Sequence, residues 1–326
     1  MTAIPPHPAS PSELAASARP VADAVPGNWV DRLAPPAARP FLRLARFDRP
    51  IGSWLLLFPC WWSLALAELA SGKAYPDPWL ALLFLIGAFA MRGAGCTWND
   101  IVDRDYDAGV ERTRSRPIPS GQVSVRQAAL FMGALLLVGL VVLVQLNRYT
   151  IALAVASLGL VAIYPFMKRY TFWPQLVLGL TFKWGALVGW AAARGTLEWP
   201  AIVLYAGCVL WTIGYDTIYA HQDKEDDLAL GLKSTAIRFG DASRPWITGF
   251  YAGALTLWLL AVTLAGAGAL TYFALAAIAA HCTWQVATLD IAKPDNCLLR
   301  FKSNRFVGWI LLAGLMLDAV FRNLTG

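Results

Sequence analysis

Long apolar runs follow one another along most of this chain. After residue 50, almost the whole sequence consists of apolar stretches of about 18 residues or more, each long enough to cross a hydrocarbon core of roughly 30 Å as a helix. Backbone polar groups find no water inside lipid, so such runs must be helices rather than open strands. The sequence therefore predicts an all-α membrane protein with about nine transmembrane helices. The runs lie near residues 51–70, 78–97, 126–146, 149–166, 173–193, 200–220, 246–265, 268–289 and 306–322.

The overall composition agrees with a membrane protein. Of the 326 residues, 57% are hydrophobic and only 15% are charged, whereas soluble domains carry about 25% charged residues. A net charge of +6 is typical of nucleic-acid-binding proteins, but in a chain with many spans it more often reflects basic cytoplasmic loops. We expect the lipid bilayer as a partner, no nucleic acid and no obligate protein partner.

The first 45 residues differ from the rest of the chain. They are rich in Pro, Ala and Ser and contain no long apolar run, which predicts a mostly disordered tail for residues 1–45 ahead of a membrane domain at 46–326. The tail has neither the apolar segment of a signal peptide nor the Arg-rich, acid-poor pattern of a transit peptide. We therefore expect a multi-pass protein of the bacterial inner (cytoplasmic) membrane.

Basic residues concentrate in alternate connections between the runs. Lys and Arg cluster before the first run and after the second, fourth, sixth and eighth runs, and the other connections hold only isolated charges. The positive-inside rule places these basic connections in the cytoplasm.

Two of the cytoplasmic connections are dense in Asp and form a weak internal repeat. The first contains "NDIVDRDYD" at residues 99–107, where Asn99 and Asp103 lie four residues apart. If the preceding helix continues, Asp100, Asp103 and Asp107 share one of its faces. In the second connection Asp223 and Asp227 repeat the four-residue spacing. We expect two acidic sites that face one cavity.

Clustered carboxylates repel one another unless a cation lies between them, and hard divalent cations prefer oxygen ligands. Mg²⁺ is usually held by one or two carboxylates together with substrate phosphates. The two acidic connections, each followed by basic residues, therefore predict a site for Mg²⁺ and a diphosphate.

These strings resemble a known family. "NDIVDRDYD" fits the NDxxDxxxD pattern, Asp223 to Asp227 fits the DxxxD pattern, and "YPFMK" fits the YxxxK pattern of the UbiA-type intramembrane prenyltransferases. More narrowly, "RPIGSWLLLFPCWW", "RTRSRPIPSG" and "YDTIYAHQDKEDDLALGLKSTAIRFG" look like the 4-hydroxybenzoate polyprenyltransferases of ubiquinone biosynthesis. The resemblance covers the chain from about residue 40 onward.

The resemblance implies a helical bundle with a central cavity open to lipid. It also implies transfer of a polyprenyl group from its diphosphate to the ring carbon ortho to the hydroxyl of 4-hydroxybenzoate, with Mg²⁺ as cofactor. The implied metal ligands are Asn99, Asp100, Asp103 and Asp107 for one ion and Asp223 and Asp227 for the other. Such a cavity must be dry, because water would capture the allylic cation.

Further residues are predicted to act on the substrates. Asp216 is a candidate proton acceptor or metal support, and it completes a predicted catalytic set with Asp103 and Asp223. Arg92 lies two helical turns before Asn99 and is costly in lipid, which favours a substrate role. The candidate substrate-binding residues are Arg49, Arg92, Arg112, Arg116, Tyr164, Lys168, Arg169, Tyr219 and Lys233.

Three residues inside or next to the apolar runs keep open roles. Lys183 is an intramembrane lysine and so a functional candidate, but the sequence names no partner for it. Trp98 and Trp211 suit the aromatic belts at the membrane interfaces, and cation–π contact with a carbocation is the alternative.

Two other functions remain as alternatives. Within the same enzyme class, the acceptor could be another aromatic compound such as a naphthoate. A cation-coupled transporter is the alternative from a different class, but it would place its acids at the middle of the membrane helices rather than at their cytoplasmic ends.

Overall fold

The computed structural model describes residue 24, residues 27–110 and residues 113–325. In this part of the chain every regular element is a helix. Nine helical segments there are long and apolar enough to span a bilayer, with mean hydropathies from 1.2 to 2.1. The prediction of an all-α chain with about nine transmembrane helices is confirmed.

The helices are numbered in chain order. They are α1 (Trp29–Leu33), α2 (Arg39–Leu44), α3 (Ile51–Ala70), α4 (Pro78–Val102), α5 (Arg104–Asp107), α6 (Val125–Leu143), α7 (Arg148–Ile163), α8 (Met167–Tyr170), α9 (Pro174–Phe182), α10 (Gly185–Arg194), α11 (Trp199–Ala220), α12 (Lys224–Ala229), α13 (Thr235–Phe239), α14 (Ser243–Leu264), α15 (Ala269–Ala287) and α16 (Pro294–Thr325). Short 3₁₀ turns at Tyr164–Phe166, His221–Asp223 and Gly240–Ala242 join some of them.

Several helices extend beyond their apolar runs. The last helix begins at Pro294 rather than near residue 306, so Arg300 and Arg305 lie in helical turns and not in a loop. Hydropathy identifies only the part of a helix that suits lipid, whereas backbone hydrogen bonding continues through polar turns outside it.

The chain divides into two compact units. The first consists of the residues up to Pro50 together with 93–136, and the second consists of 51–92 together with 137–326. The small core of the first unit contains Leu44, Ile118, Val123 and Ala128, all buried. Phe41 packs against this core.

Part of the predicted disordered tail is helical. Asn28 caps α1 by accepting a hydrogen bond from the Asp31 backbone N–H, and Arg43 in α2 lies 2.8 Å from the Asp31 carboxylate. The Trp29 indole donates to the Phe47 carbonyl at 2.9 Å. Residues 29–33 and 39–44 are thus helical, and residues 1–23, 25 and 26 lie outside the described residues, so the boundary at residue 45 stays a prediction.

The core of the second unit is rich in tryptophan. The Trp62 ring lies 5.4 Å from Trp211 and 5.3 Å from Trp258, which joins α3, α11 and α14. Trp211 is fully buried, so its prediction as an interfacial belt residue is wrong. The signal is misleading because large aromatic side chains serve equally well as core and as interfacial anchors.

The fifth transmembrane span is interrupted at its centre. α9 ends at Phe182 and α10 begins at Gly185, which leaves Lys183 at the break. α10 packs closely on α3: a Cβ atom at Gly189 would collide with the carbonyl oxygen of Cys60. Pro59 lies inside α3 close to this contact.

Candidate active site

The first Asp-rich motif lies at the end of α4, in the first unit. α4 ends at Val102, and Asp103 adopts a non-helical conformation with φ −97° and ψ 7° before α5 begins. The Asn99 amide donates to the Asp103 carboxylate at 3.1 Å. The proximity of these two side chains, predicted from their spacing, is confirmed.

Two further carboxylates of this motif, those of Asp100 and Asp107, bind arginines. Arg46 donates to Asp100 Oδ1 at 2.6 Å. Arg116 Nη1 donates to the same atom at 3.3 Å and to Asp107 Oδ2 at 2.7 Å. α4 ends before Asp103, whose carboxylate accepts from Asn99, whereas Asp100 and Asp107 both accept from Arg116.

Burial dominates the electrostatics of these two carboxylates. Asp100 is completely inaccessible to solvent. Burial raises the pKa of the Asp107 carboxyl above its ordinary value, and the guanidinium of Arg116 opposes that shift. Arg116 therefore holds two buried carboxylates close together that would otherwise repel each other.

Arg46 is a site residue that sequence reasoning did not select. Its φ of 60° lies in the left-handed region, and it is the sole non-glycine residue with positive φ in the described part of the chain. The surrounding contacts must offset the cost of this conformation, and the buried ion pair with Asp100 is one of them. No local pattern marks its contact with Asp100, because Arg46 resembles the other arginines of the cytoplasmic connections and lies 54 residues away.

Arg49 and Arg112 complete the predicted basic residues of this unit. Arg49 is buried, and its guanidinium lies 3.9 Å from the Asp48 carboxylate. Arg112 lies outside the described residues.

The second Asp-rich motif lies after α11, in the second unit. Asp223 ends a 3₁₀ turn and precedes α12, and Asp227 lies inside α12; both are buried. Lys168 Nζ is 3.4 Å from each carboxylate oxygen of Asp227. The structure thus brings the predicted lysine of "YPFMK" to Asp227 of the predicted DxxxD pair.

Several other predicted residues surround Lys168. Tyr164 begins the 3₁₀ turn that precedes α8, and the Arg169 guanidinium lies 5.4 Å from the Phe166 ring. The Lys233 backbone N–H donates to the Lys168 carbonyl at 2.8 Å, and Lys233 Nζ donates to the carbonyl of Tyr170 at 3.2 Å. These contacts connect α8 to the segment after the second motif.

Tyr219 lies in the last turn of α11, shortly before the second motif. It is half-buried, and its ring centroid is 4.5 Å from that of Phe301 in α16.

Asp216 lies further back in α11, within electrostatic range of three cations and of the Asp223 carboxylate. Lys168, Arg92 and Lys183 all act on it electrostatically. Arg92 lies in α4, and its guanidinium carbon is 5.0 Å from the centre of the Phe182 ring. Its Nε is buried and has no hydrogen-bond partner among the described residues. Arg92 and Asp216 therefore lie in one unit as a cation and an anion, and their roles toward the substrates stay predictions.

The donor sets suit a hard divalent cation. Among residues 27–110 and 113–325, no three His, Cys, Asp or Glu side chains form a group that could hold a metal ion alone. Mg²⁺ does not require such a group, since it commonly takes one or two carboxylates and completes its shell with phosphate and water oxygens. Asn99 and Asp103, which are in contact, and Asp223 and Asp227, which lie four residues apart, are the predicted pairs of oxygen donors.

Comparison with known proteins identifies the family. The sequence matches the UbiA prenyltransferase family over residues 56–311. The chain belongs to the UbiA prenyltransferase family. The matched range of this UbiA chain includes both Asp-rich motifs and Lys168, whereas Arg46 and Arg49 precede it.

Named relatives are similar to this UbiA chain over most of its length. It is 52% identical over 285 residues to "4-hydroxybenzoate polyprenyltransferase, mitochondrial" of Aedes aegypti, which covers 87% of this chain and 64% of that protein. It is 50% identical over 291 residues to the human protein of the same name, covering 89% of this chain and 78% of the relative. The chain thus spans less than two thirds of the mosquito protein.

Solved UbiA structures share the fold. The apo structure of a UbiA homologue from Aeropyrum pernix K1 superposes with a TM-score of 0.68 and 26% identity, covering 81% of this chain and 97% of that one. A UbiA homologue from Archaeoglobus fulgidus bound to GPP and Mg²⁺ has a TM-score of 0.63 and 18% identity, covering 86% and 99%. This chain therefore has the UbiA fold.

Proposed function

We propose that this protein transfers a polyprenyl group from polyprenyl diphosphate to the ring carbon ortho to the hydroxyl of 4-hydroxybenzoate, with Mg²⁺ as cofactor, in ubiquinone biosynthesis. The observation that carries the proposal is the identity of 52% and 50% with two relatives of that name. The site adds buried carboxylates in two Asp-rich motifs and cations suited to a diphosphate.

We assign one Mg²⁺ to each motif. Asn99 and Asp103 would hold one ion, with Asp100 and Asp107 in support through Arg116, and Asp223 and Asp227 would hold the other. The A. fulgidus homologue bound to GPP and Mg²⁺ supports the choice of metal. When bound, Mg²⁺ neutralises the charge that develops on the leaving diphosphate.

The cations beside the motifs bind the diphosphate in this proposal. Lys168 is the first candidate, because its ammonium already lies beside Asp227 and its side chain is 38% exposed. An exposed amine on a flexible stem can turn from a carboxylate to a phosphate with little cost. The further candidates are Arg112, Arg116, Tyr164, Arg169 and Lys233.

The acceptor is placed by Arg92 and Asp216. The Arg92 guanidinium binds the carboxylate of 4-hydroxybenzoate, for which its planar fork is suited. The allylic C–O bond breaks with both electrons leaving on the diphosphate, and the ring carbon ortho to the phenol attacks the allylic cation. Asp216 accepts the proton that the ring carbon then loses, which restores aromaticity. The apolar surroundings of the membrane helices exclude water from the cation.

We further propose that the protein resides in a bacterial inner membrane with both motifs on the cytoplasmic side. The alternation of basic connections supports this orientation. The two named relatives are mitochondrial. Fractionation of the source cells and labelling of cysteines introduced next to each motif test the placement.

The direct test of activity uses membranes that contain the protein. With Mg²⁺, a polyprenyl diphosphate and radiolabelled 4-hydroxybenzoate, we expect a lipid-soluble labelled product that disappears on chelation of the metal. Asp103→Ala and Asp223→Ala should abolish turnover while the protein remains in the membrane, and Asp105→Ala, at an exposed position, is the matched control. No product from the wild type, where a known homologue is active, contradicts the proposal.

A further inference from the structure

Lys183 is a charged residue in the middle of a membrane span that the proposed reaction does not use. It lies at the break between α9 and α10, and its side chain is completely buried. Among the described residues, none of the salt bridges involves it. A buried ammonium inside a membrane is costly unless specific groups bind it.

The ammonium binds a backbone carbonyl that Pro59 leaves without its usual donor. Lys183 Nζ donates to the Leu55 carbonyl oxygen at 2.6 Å. In a regular helix this oxygen would accept from the N–H four residues later. That residue is Pro59, which has no N–H. Lys183 therefore supplies from a neighbouring span the donor that α3 lacks.

Aromatic rings enclose the rest of the ammonium. Nζ lies 4.6 Å from the ring centre of Trp211, and 5.3 Å from those of Tyr215 and Phe182. Cation–π attraction at these distances replaces part of the lost hydration. Phe182 also lies 5.0 Å from the guanidinium carbon of Arg92, so one ring is shared by Lys183 and by the arginine assigned to the acceptor.

The helix turn that Lys183 holds also supports Arg92. Gly52 precedes Leu55 by about one turn on α3. A Cβ atom on Gly52 would lie 2.6 Å from Arg92 Nε and 2.7 Å from its Nη2. The guanidinium therefore occupies the space that the absent side chain leaves, and its position depends on where this part of α3 lies.

We propose that Lys183 is a positioning residue: by giving the Leu55 carbonyl the donor that Pro59 cannot, it fixes the first turns of α3, whose Gly52 seats the Arg92 guanidinium for the carboxylate of an aromatic acceptor. The second half of this inference rests on the proposed function. It deepens that function by connecting an intramembrane lysine to recognition of the acceptor rather than of the diphosphate.

The first experiment measures the two substrates separately in the full-length protein. Lys183→Met, which keeps length and removes the donor, should raise KM for 4-hydroxybenzoate about tenfold and change KM for the polyprenyl diphosphate less than about twofold. Pro59→Ala returns an N–H to the Leu55 carbonyl. The Lys183→Met, Pro59→Ala double variant should therefore recover to within about threefold of the wild-type KM.

A double variant that stays as impaired as Lys183→Met, or a single variant with wild-type KM, overturns the proposal. If Lys183→Met alone does not fold, folding of the double variant supports it and failure of both overturns it. Thermal unfolding of the four proteins in detergent gives the coupling between Lys183 and Pro59 without any assay of turnover. If the wild-type protein folds and shows this coupling but makes no prenylated benzoate, the proposed function is refuted. The contact between Lys183 and the Leu55 carbonyl then still stands.

Gly52→Ala tests the link to the acceptor and leaves every charge in place. The methyl group must displace the Arg92 guanidinium, which is the flexible end of a side chain, so the protein should remain stable. We expect a rise in KM for 4-hydroxybenzoate of about the same size as in Lys183→Met. An unchanged KM shows that Arg92 does not depend on this turn of α3 and overturns the positioning role.

Discussion

In the first Asp-rich motif two carboxylates are bound by arginines, whereas in the second motif a lysine approaches the carboxylate more loosely. Arg46 and Arg116 lie 2.6 and 2.7 Å from Asp100 and Asp107. Lys168, by contrast, is 3.4 Å from both oxygens of Asp227. The comparison indicates that two Asp-rich motifs of similar sequence can differ in how tightly cations bind their carboxylates.

The two kinds of ion pair differ in what breaking them would cost. The guanidinium groups of the first motif are nearly inaccessible, with side-chain exposures of 10% and 13% for Arg46 and Arg116. Removing a partner there leaves a buried charge without compensation. The Lys168 ammonium is more exposed, so it can leave Asp227 for solvent or for a phosphate.

The largest expected effect is on activity, at the second motif. Asp227→Asn should lower kcat/KM by about a thousandfold, since it removes a charge assigned to Mg²⁺ and the transition state. Its melting temperature should stay close to that of the wild type, because Lys168 can reach solvent. Asp226→Asn, at the neighbouring position, is the matched control and should keep its activity.

The next effect is on stability, at the first motif. Asp100→Asn leaves Arg46 and Arg116 without their shared carboxylate oxygen and should cost about 3–5 kcal/mol of unfolding free energy. Thermal and denaturant unfolding in detergent measure it, with Asp105→Asn as the exposed control. Equal stability losses in Asp100→Asn and Asp227→Asn would remove the distinction between the motifs.

A moderate effect is expected at Lys168. Lys168→Met should raise KM for the polyprenyl diphosphate about tenfold and leave KM for 4-hydroxybenzoate nearly unchanged. Steady-state kinetics in which each substrate is varied in turn give the two KM values separately. A selective rise in KM for the benzoate would assign Lys168 to the acceptor instead.

The smallest effect concerns the backbone of Arg46. Arg46→Gly and Arg46→Ala both remove the ion pair with Asp100, but only glycine adopts a φ of 60° without steric cost. We expect Arg46→Gly to be more stable than Arg46→Ala by about 1 kcal/mol in unfolding experiments. Equal stabilities would show that the strained conformation relaxes when the guanidinium is lost.

Local parts of the site follow from sequence spacing. Asn99 and Asp103 meet because residues four apart are neighbours in a helix or a helical turn. The membrane helices follow from apolar length, and the basic residue of "YPFMK" reaches the second motif as the family resemblance implies.

Contacts between distant parts of the chain could not be predicted in the same way. Arg46 is 54 residues from Asp100 and Lys183 is 128 residues from Leu55, so neither pair produces a local pattern. The end of α4 at Val102 does not follow from a local pattern either, because helix ends are set by tertiary contacts as much as by propensity. Pro59 and Lys183 each stand out in the apolar runs of the sequence. Only the packing of α10 on α3 shows that Lys183 supplies the hydrogen-bond donor that Pro59 lacks.

Transfer of the polyprenyl group to 4-hydroxybenzoate is tested most directly by a competition between two acceptors. Membranes containing the protein are given Mg²⁺, one polyprenyl diphosphate and equal amounts of 4-hydroxybenzoate and a hydroxynaphthoate, and the products are identified by mass spectrometry. We predict one product, whose mass is that of 4-hydroxybenzoate with one ring hydrogen replaced by the polyprenyl group, and none with Asp227→Asn. A prenylated naphthoate as the main product would contradict the proposed acceptor. The same benzoate product from Asp227→Asn would contradict the proposed role of the second motif.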